Sequence, residues 1–226
     1  MPIETLIENR DGATLVRDRI AEILATESKA QQNLALAAGK NARLYELKVT
    51  KERAAPWGSF QDAQDRYAPI INVWFDTDNF EKRLGNVVDG QRATGTFNVD
   101  CYGASIAKPA GLSGYKSGDE LAALEAERAA ELCRNIIMAA HYVWLGFKPN
   151  ELVGSRWLQS RTKYQIEFDS STIQRVVGVR LAFAVEYRET APQHVGLPLE
   201  YISADLVRND DGFLIAEVDH DYTQGA

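Results

Sequence analysis

Strict alternation is strongest over residues 175–189, RVVGVRLAFAVEYRE. Val177, Val179, Leu181, Phe183, Val185 and Tyr187 take every second position, and Val176, Gly178, Arg180, Ala182, Ala184, Glu186 and Arg188 take the others. A period of two belongs to a pleated strand. One face of this strand is bulky and apolar and suits a helix-covered core. The other is small or charged and suits close approach by another sheet or chain. Residues 43–51 alternate more weakly, with Tyr45, Leu47 and Val49 opposite Glu46 and Lys48, and predict a strand with one wet face. PIINVWF at 69–75 and TGTFNVDCYG at 94–103 predict two more, and QSRTKYQIEF at 159–168 a fourth with a looser pattern.

Helical spacing dominates two segments. Over 14–28, Leu15, Ile20, Ile23 and Leu24 share a stripe, with Thr14 or Asp11 placed to cap the start, alanines and glutamines at 30–38 extending it and Gly39 ending it. Over 117–142, Ser117 and Glu120 have capping-box spacing, and Leu121, Leu124, Leu132, Ile136, Ala140 and Val143 form the expected buried stripe. His141, near its end, is placed to answer the C-terminal dipole. The polar stretch 76–93 is too long for a tight turn, so the strands on either side predict a long, protruding hairpin arm. The loop at 54–68 holds Trp57 and Phe60, read either as anchors for a partner or as side chains folded back on their own domain. Residues 104–118 and 142–157 read as loops.

The last segment is a second hairpin. Two apolar-rich runs flank Asn209–Asp210–Asp211–Gly212 and follow a linker containing Pro192, Gly196 and Pro198. A lone two-stranded hairpin is marginal in water, so this one is expected to pack on its own sheet or on a neighbouring subunit. The predicted fold is α+β: a mostly antiparallel sheet packed by two helices, with the long arm and a C-terminal hairpin extension. The division expected is 1–192 for the main domain and 193–226 for the extension.

Charge and chemistry narrow the function. A net charge of −7 argues against general affinity for duplex DNA or anionic membranes. Residues 1–12 lack a basic start followed by an apolar run, so no signal peptide is read there, and no uncharged stretch is long enough to span a bilayer. Cys101 and Cys133 lie in apolar patterns and read as buried thiols of a reducing compartment, with a disulfide between them left open by sequence. The three histidines are scattered, and no HExxH, paired CxxC or GxSxG motif occurs. Gly111, Gly114 and Gly118 lack phosphate-loop spacing. Glu127 and Glu131, a turn apart, have no helical histidine partner, and Asp76, Asp78 and Asp89 lack calcium-loop spacing. No catalytic, cofactor or metal residue is therefore assigned, and the chain is not expected to be an enzyme.

The order helix, strand, Pro-initiated strand, long arm, strand, long helix, strand, strong final strand resembles the tail terminator, or tail completion, proteins of long-tailed phages. The residues carrying the resemblance are Leu15 to Leu24, PIINVWF at 69–75, GTFNVDCYG at 95–103, the helix at 119–142 and VGVRLAFAVEYRE at 177–189. It covers roughly residues 14–189. The additions at 50–68, 104–118 and 196–220 leave open a neighbouring neck, connector or minor tail protein.

The resemblance implies a homohexameric ring in the virion, assembled in the host cytoplasm. Such a ring caps the tail tube, meets the head connector and, in a contractile tail, the sheath, and lets DNA pass through its lumen without binding. Candidate subunit or tube contacts are Asp76, Asp78, Phe80, Lys82, Arg83 and Asp89 on the arm. Arg180, Glu186 and Arg188 on the final strand join them, with Ile202, Leu206, Phe213 and Ile215 on the terminal hairpin. Two other classes stand beside it. A small-molecule-binding α/β enzyme predicts a closed apolar pocket with a few converging polar groups. A nucleic-acid binder predicts a basic stripe, for which Arg156, Arg161, Lys163 and Arg175 are the local excess.

Overall fold

The computed structural model describes residues 10–56, 60, 68–81, 91–106, 118–148, 152–166 and 174–189, and the backbone of 201–207 and 214–221. The chain divides into two compact units, Arg10–Ala191 and a second one that contains the C-terminal hairpin.

The larger unit is α+β. Helix α1 (Gly12–Ala37) precedes strands β1 (Lys48–Lys51), β2 (Ile70–Phe80) and β3 (Gln91–Ile106); helix α2 (Gly118–Met138) follows, then β4 (Val153–Ile166) and β5 (Gln174–Glu189). The five strands are ordered β1-β2-β3-β5-β4, with β1 parallel to β2 and every other pairing antiparallel. In the second unit β6 (Tyr201–Val207) and β7 (Leu214–Asp221) form an antiparallel two-stranded sheet.

The predicted apolar face of β5 is the centre of the core. Val177, Val179, Leu181, Phe183, Val185 and Tyr187 are buried with Phe97, Val99 and Cys101 of β3 and with Val16, Ile20, Ile23 and Leu24 of α1. Asp11 caps α1 by accepting from the Thr14 N–H, as one of the two predicted caps, and Gly39 follows its end at φ +64. Both cysteines are free and buried.

Four expectations are corrected. First, the buried face of α2 is made of Ala122, Ala126, Ala129, Ala130, Cys133, Ile136 and Ile137. Leu124 and Val143 are 42% and 54% exposed, and Ala140 is exposed too. Gly103 is the reason: a Cβ there would lie 2.3 Å from the Ala122 carbonyl oxygen, so α2 presses its backbone against β3 through its smallest side chains. Second, residues 42–45 form a 3-10 turn and β1 begins only at Lys48. The buried Ser28 hydroxyl donates to the Tyr45 carbonyl (2.8 Å) and accepts from the Leu47 N–H (3.0 Å), which ties this stretch to α1 rather than to a sheet.

Third, β4 begins at Val153, inside the stretch read as a loop. Register shifts between Val153 and Ser155 and between Leu158 and Ser160 break its alternation, which hid it. Fourth, pairing of β2 with β3 continues from the core to Phe80 opposite Ala93, so the polar run from Asp76 is strand. The helix ends at Met138, before His141, and its last carbonyls are answered by Arg156, whose guanidinium donates to Ile137 (2.6 Å) and Ala139 (2.9 Å). Phe60 is buried against Ile70, Tyr102 and Val176, the folded-back alternative. Trp57, Ser117 and the Gly111–Gly114 stretch lie outside the described residues.

Candidate functional site

On the sheet face opposite the helices, the register sets Asn72 of β2 beside Asp100 of β3, and Asp100 beside Arg180 of β5. The Asp100 side chain is only 3% exposed. Arg180 donates to both of its oxygens, Nε to Oδ1 at 2.7 Å and Nη2 to Oδ2 at 3.0 Å. The Trp74 indole N–H (2.8 Å) and the Tyr102 hydroxyl (3.2 Å) donate to Oδ2 as well. Such two-pronged pairs are strong and orientationally strict. The Arg180 guanidinium also lies 4.8 Å from the Trp74 ring centre and 5.7 Å from that of Tyr164. Tyr164 donates to the Tyr102 oxygen at 3.1 Å, and its ring lies over Gly178, where a Cβ would come within 2.5 Å of it.

These groups, with Glu52, Arg53 and Asn72, line a recess of about 380 Å³. Asn72 is buried and bonded both ways to Arg53, accepting from its N–H and donating to its carbonyl at 3.1 Å. The hydrogen bonds to Asp100 hold Arg180 above the ordinary guanidinium range against the opposing effect of burial. Burial, with the Tyr164 hydroxyl and Asp100 nearby, pushes the Tyr102 phenol upward, and burial takes Tyr164 to about 12. The carboxylates of the recess are Asp100 and Glu52, and the two protonated phenols and the charged guanidinium supply no base of their own at neutral pH. What they do supply is a rigid patch of Trp, Tyr and Arg, the residue types that anchor protein interfaces. The small face of β5 is not open space: Ala184 is fully buried, Ala182 nearly so, and Gly178 lies under Tyr164.

A second cluster sits where α1 starts. The Tyr187 ring lies between Gly12 and Gly95; a Cβ on either would come within 3.0 Å of it. The missing side chain of Gly95 lets the Tyr187 hydroxyl reach over β3 and donate to Asp78 of β2 at 2.6 Å. Glu189 accepts from the Gly12 N–H at 2.7 Å, at the helix start where the dipole favours an anion. Burial raises the Asp78 carboxyl, opposed by the Tyr187 bond and helped by the Asp11 charge. Burial likewise raises Glu189, opposed by the Gly12 N–H and helped by Asp11 and Asp78. Asp18 behaves oppositely: burial would raise it, but Lys51, Arg10 and Arg17 hold it well below the carboxylate range.

The linkage signs follow. Stability from Asp78 is fully present below its unfolded value of 3.8 and is lost as pH rises through its raised folded value. Stability from Asp18 is present above 3.8 and is lost on acidification. Asp78→Asn, which keeps an oxygen for Tyr187, is therefore expected to raise the urea midpoint at pH 7. The gain over wild type should vanish near pH 3, and a midpoint that falls at pH 7 would refute the assignment.

Of the sequence-predicted contacts, Asp78 and Arg180 each enter one of these clusters. Asp76 is exposed at the β2 irregularity, and Phe80 is half-exposed at the end of the described β2. Glu186 accepts from the Ser155 hydroxyl at 2.7 Å, and Arg188 is exposed. Ile202, Leu206 and Ile215 lie on the β6–β7 backbone, while Lys82, Arg83, Asp89 and Phe213 lie outside the described residues.

Of the basic excess, the register sets Arg156, Arg161 and Lys163 opposite Val185, Leu181 and Val179 on one face of the sheet, where Arg156 is tied to α2 and Lys163 donates to Glu127 at 2.8 Å. Sequence reasoning missed Asp100, Trp74 and Tyr102. Their signal was a carboxylate and an arginine at like positions on two alternating strands. Among the described residues no group of three or more His, Cys, Asp or Glu is placed to hold a metal, and no helix is long and apolar enough to cross a membrane. No protein-family model matches the chain, and no match was found among curated proteins.

Proposed function

We propose that the chain is a structural protein of the tail end or head–tail junction of a long-tailed phage. It assembles as a closed ring, six copies in the family it resembles, that caps the tail tube and meets the head connector. The observation that carries this reading is the element order. α1, the β2–β3 hairpin, α2 and the final β4–β5 pair follow in the family's sequence, with α1 and α2 packed on one face of a mostly antiparallel sheet. The saturated Asp100–Arg180 cluster supports a surface role over chemistry, because the Asp100 oxygens are already engaged by Arg180, Trp74 and Tyr102. A ring requires a heterologous contact that closes by rotation. Electron microscopy of the purified chain, paired with light scattering, is expected to show annular particles. A strictly monomeric species at high concentration, even with tail tubes present, would overturn the proposal.

A further inference from the structure

The two ends of the sheet differ. β1 is four residues long, whereas β4 has fourteen and lies at the opposite edge. Among the described residues no strand pairs with its outer side. A long exposed edge offers a row of unpaired backbone donors and acceptors, and proteins usually blunt it with bulges or charge. Both bulges of β4 fall in its first half; from Ser160 to Ile166 its register with β5 is unbroken. That regular stretch has the length of β6 and β7, seven and eight residues.

Charge separates the two partners. β4 holds Arg156, Arg161 and Lys163 and no carboxylate; Arg156 is engaged by α2 and Lys163 by Glu127, so Arg161 carries most of the charge the edge can offer. Residues 192–226 hold seven carboxylates against Arg208 alone, a net of −6 in a chain whose total is −7. Residues 10–191 are consequently near neutral. Three of the carboxylates, Glu217, Asp219 and Asp221, fall within β7. The ribbon belongs to its own compact unit, and two strands alone are marginal in water.

We infer that β7 of one copy adds as a strand to the outer edge of β4, along Ser160–Ile166, of a neighbouring copy. Main-chain bonds supply the affinity in strand addition, and opposite charges steer the encounter and fix the partner. Because ribbon and edge are different surfaces, the contact is head-to-tail, the kind that generates rings. The inference rests on the assembly reading above and names the surfaces it uses.

The test uses the full chain in sedimentation equilibrium at low and high salt. Self-association is expected, weakening at least tenfold as salt rises. Arg161→Glu with Gln165→Glu reverses the edge charge without touching the Lys163–Glu127 pair. Glu217→Lys with Asp219→Lys reverses the ribbon. Each double variant is expected to associate at least tenfold more weakly. Mixed together they are expected to associate again, because in alternating order each reversed edge meets a reversed ribbon and each native edge a native ribbon, and all four changes in one chain likewise restore assembly. Circular dichroism confirms that each variant folds. Oligomers indifferent to every variant overturn the edge–ribbon contact and leave the ring standing. A wild-type chain that is monomeric at every concentration and salt, with its ribbon on its own edge, overturns both.

Discussion

Arg180→Ala is expected to lower the unfolding free energy by about 2 kcal/mol, below the range for a fully buried pair because the guanidinium is partly solvated. The change leaves a carboxylate with 3% side-chain exposure facing only neutral donors, the Trp74 indole and the Tyr102 hydroxyl. It also removes the cation that lies over the Trp74 ring. The reverse change, Asp100→Ala, strands Arg180, but its side chain is 40% exposed and water can replace part of what is lost. The two changes combined should cost less than their sum, with a coupling on the order of 1–3 kcal/mol. Urea denaturation of the four proteins of that cycle measures it. Additive losses, or an Arg180→Ala cost within error of zero, would mean that the pair is ornamental.

Gly103→Val is expected to do more damage: about 3 kcal/mol, the top of the usual range for overpacking, or outright failure to fold. Even a single methyl at this position would sit 2.3 Å from the Ala122 oxygen and 2.5 Å from the Ala126 nitrogen. Both are backbone atoms of α2, so no side chain can rotate out of the way. The helix would have to lift, opening gaps at Ala129, Ala130 and Cys133, and interiors tolerate voids poorly. Gly39→Ala provides the contrast. No atom lies within 4 Å of a Cβ there, so only its left-handed φ of +64 opposes the change, at about 1 kcal/mol. Thermal melts of both variants test the difference. A Gly103→Val protein as stable as wild type would show that α2 is not held by close backbone approach.

Local pattern sufficed for much of the architecture. The alternation of β5 reflects a strand with helices on one side, and that face is the core. The Asp11 cap and the Gly39 stop bound α1 because a free N–H needs an acceptor and a left-handed residue ends a helix. Other parts lay beyond it for specific reasons. The leucine stripe of α2 was the better hydrophobic arc, yet the alanine arc is buried, since the deciding atom is one that Gly103 lacks on another element. The start of β4 was hidden by bulges, which shift alternation by one residue and erase the period.

The division is therefore between what repeats along the chain and what meets across it. The amino-acid order alone determined the α+β class, the strand at 175–189, the first helix and the absence of recognisable catalytic motifs, because periodicity and capping act over a few neighbouring residues. Only the tertiary structure decided that Asp100 meets Arg180, that Tyr187 reaches Asp78 over Gly95, and that β4 is the long edge strand, unpaired on its outer side among the described residues. Strand register brings together residues 80 and 109 positions apart, and no local signal carries a partner's distance.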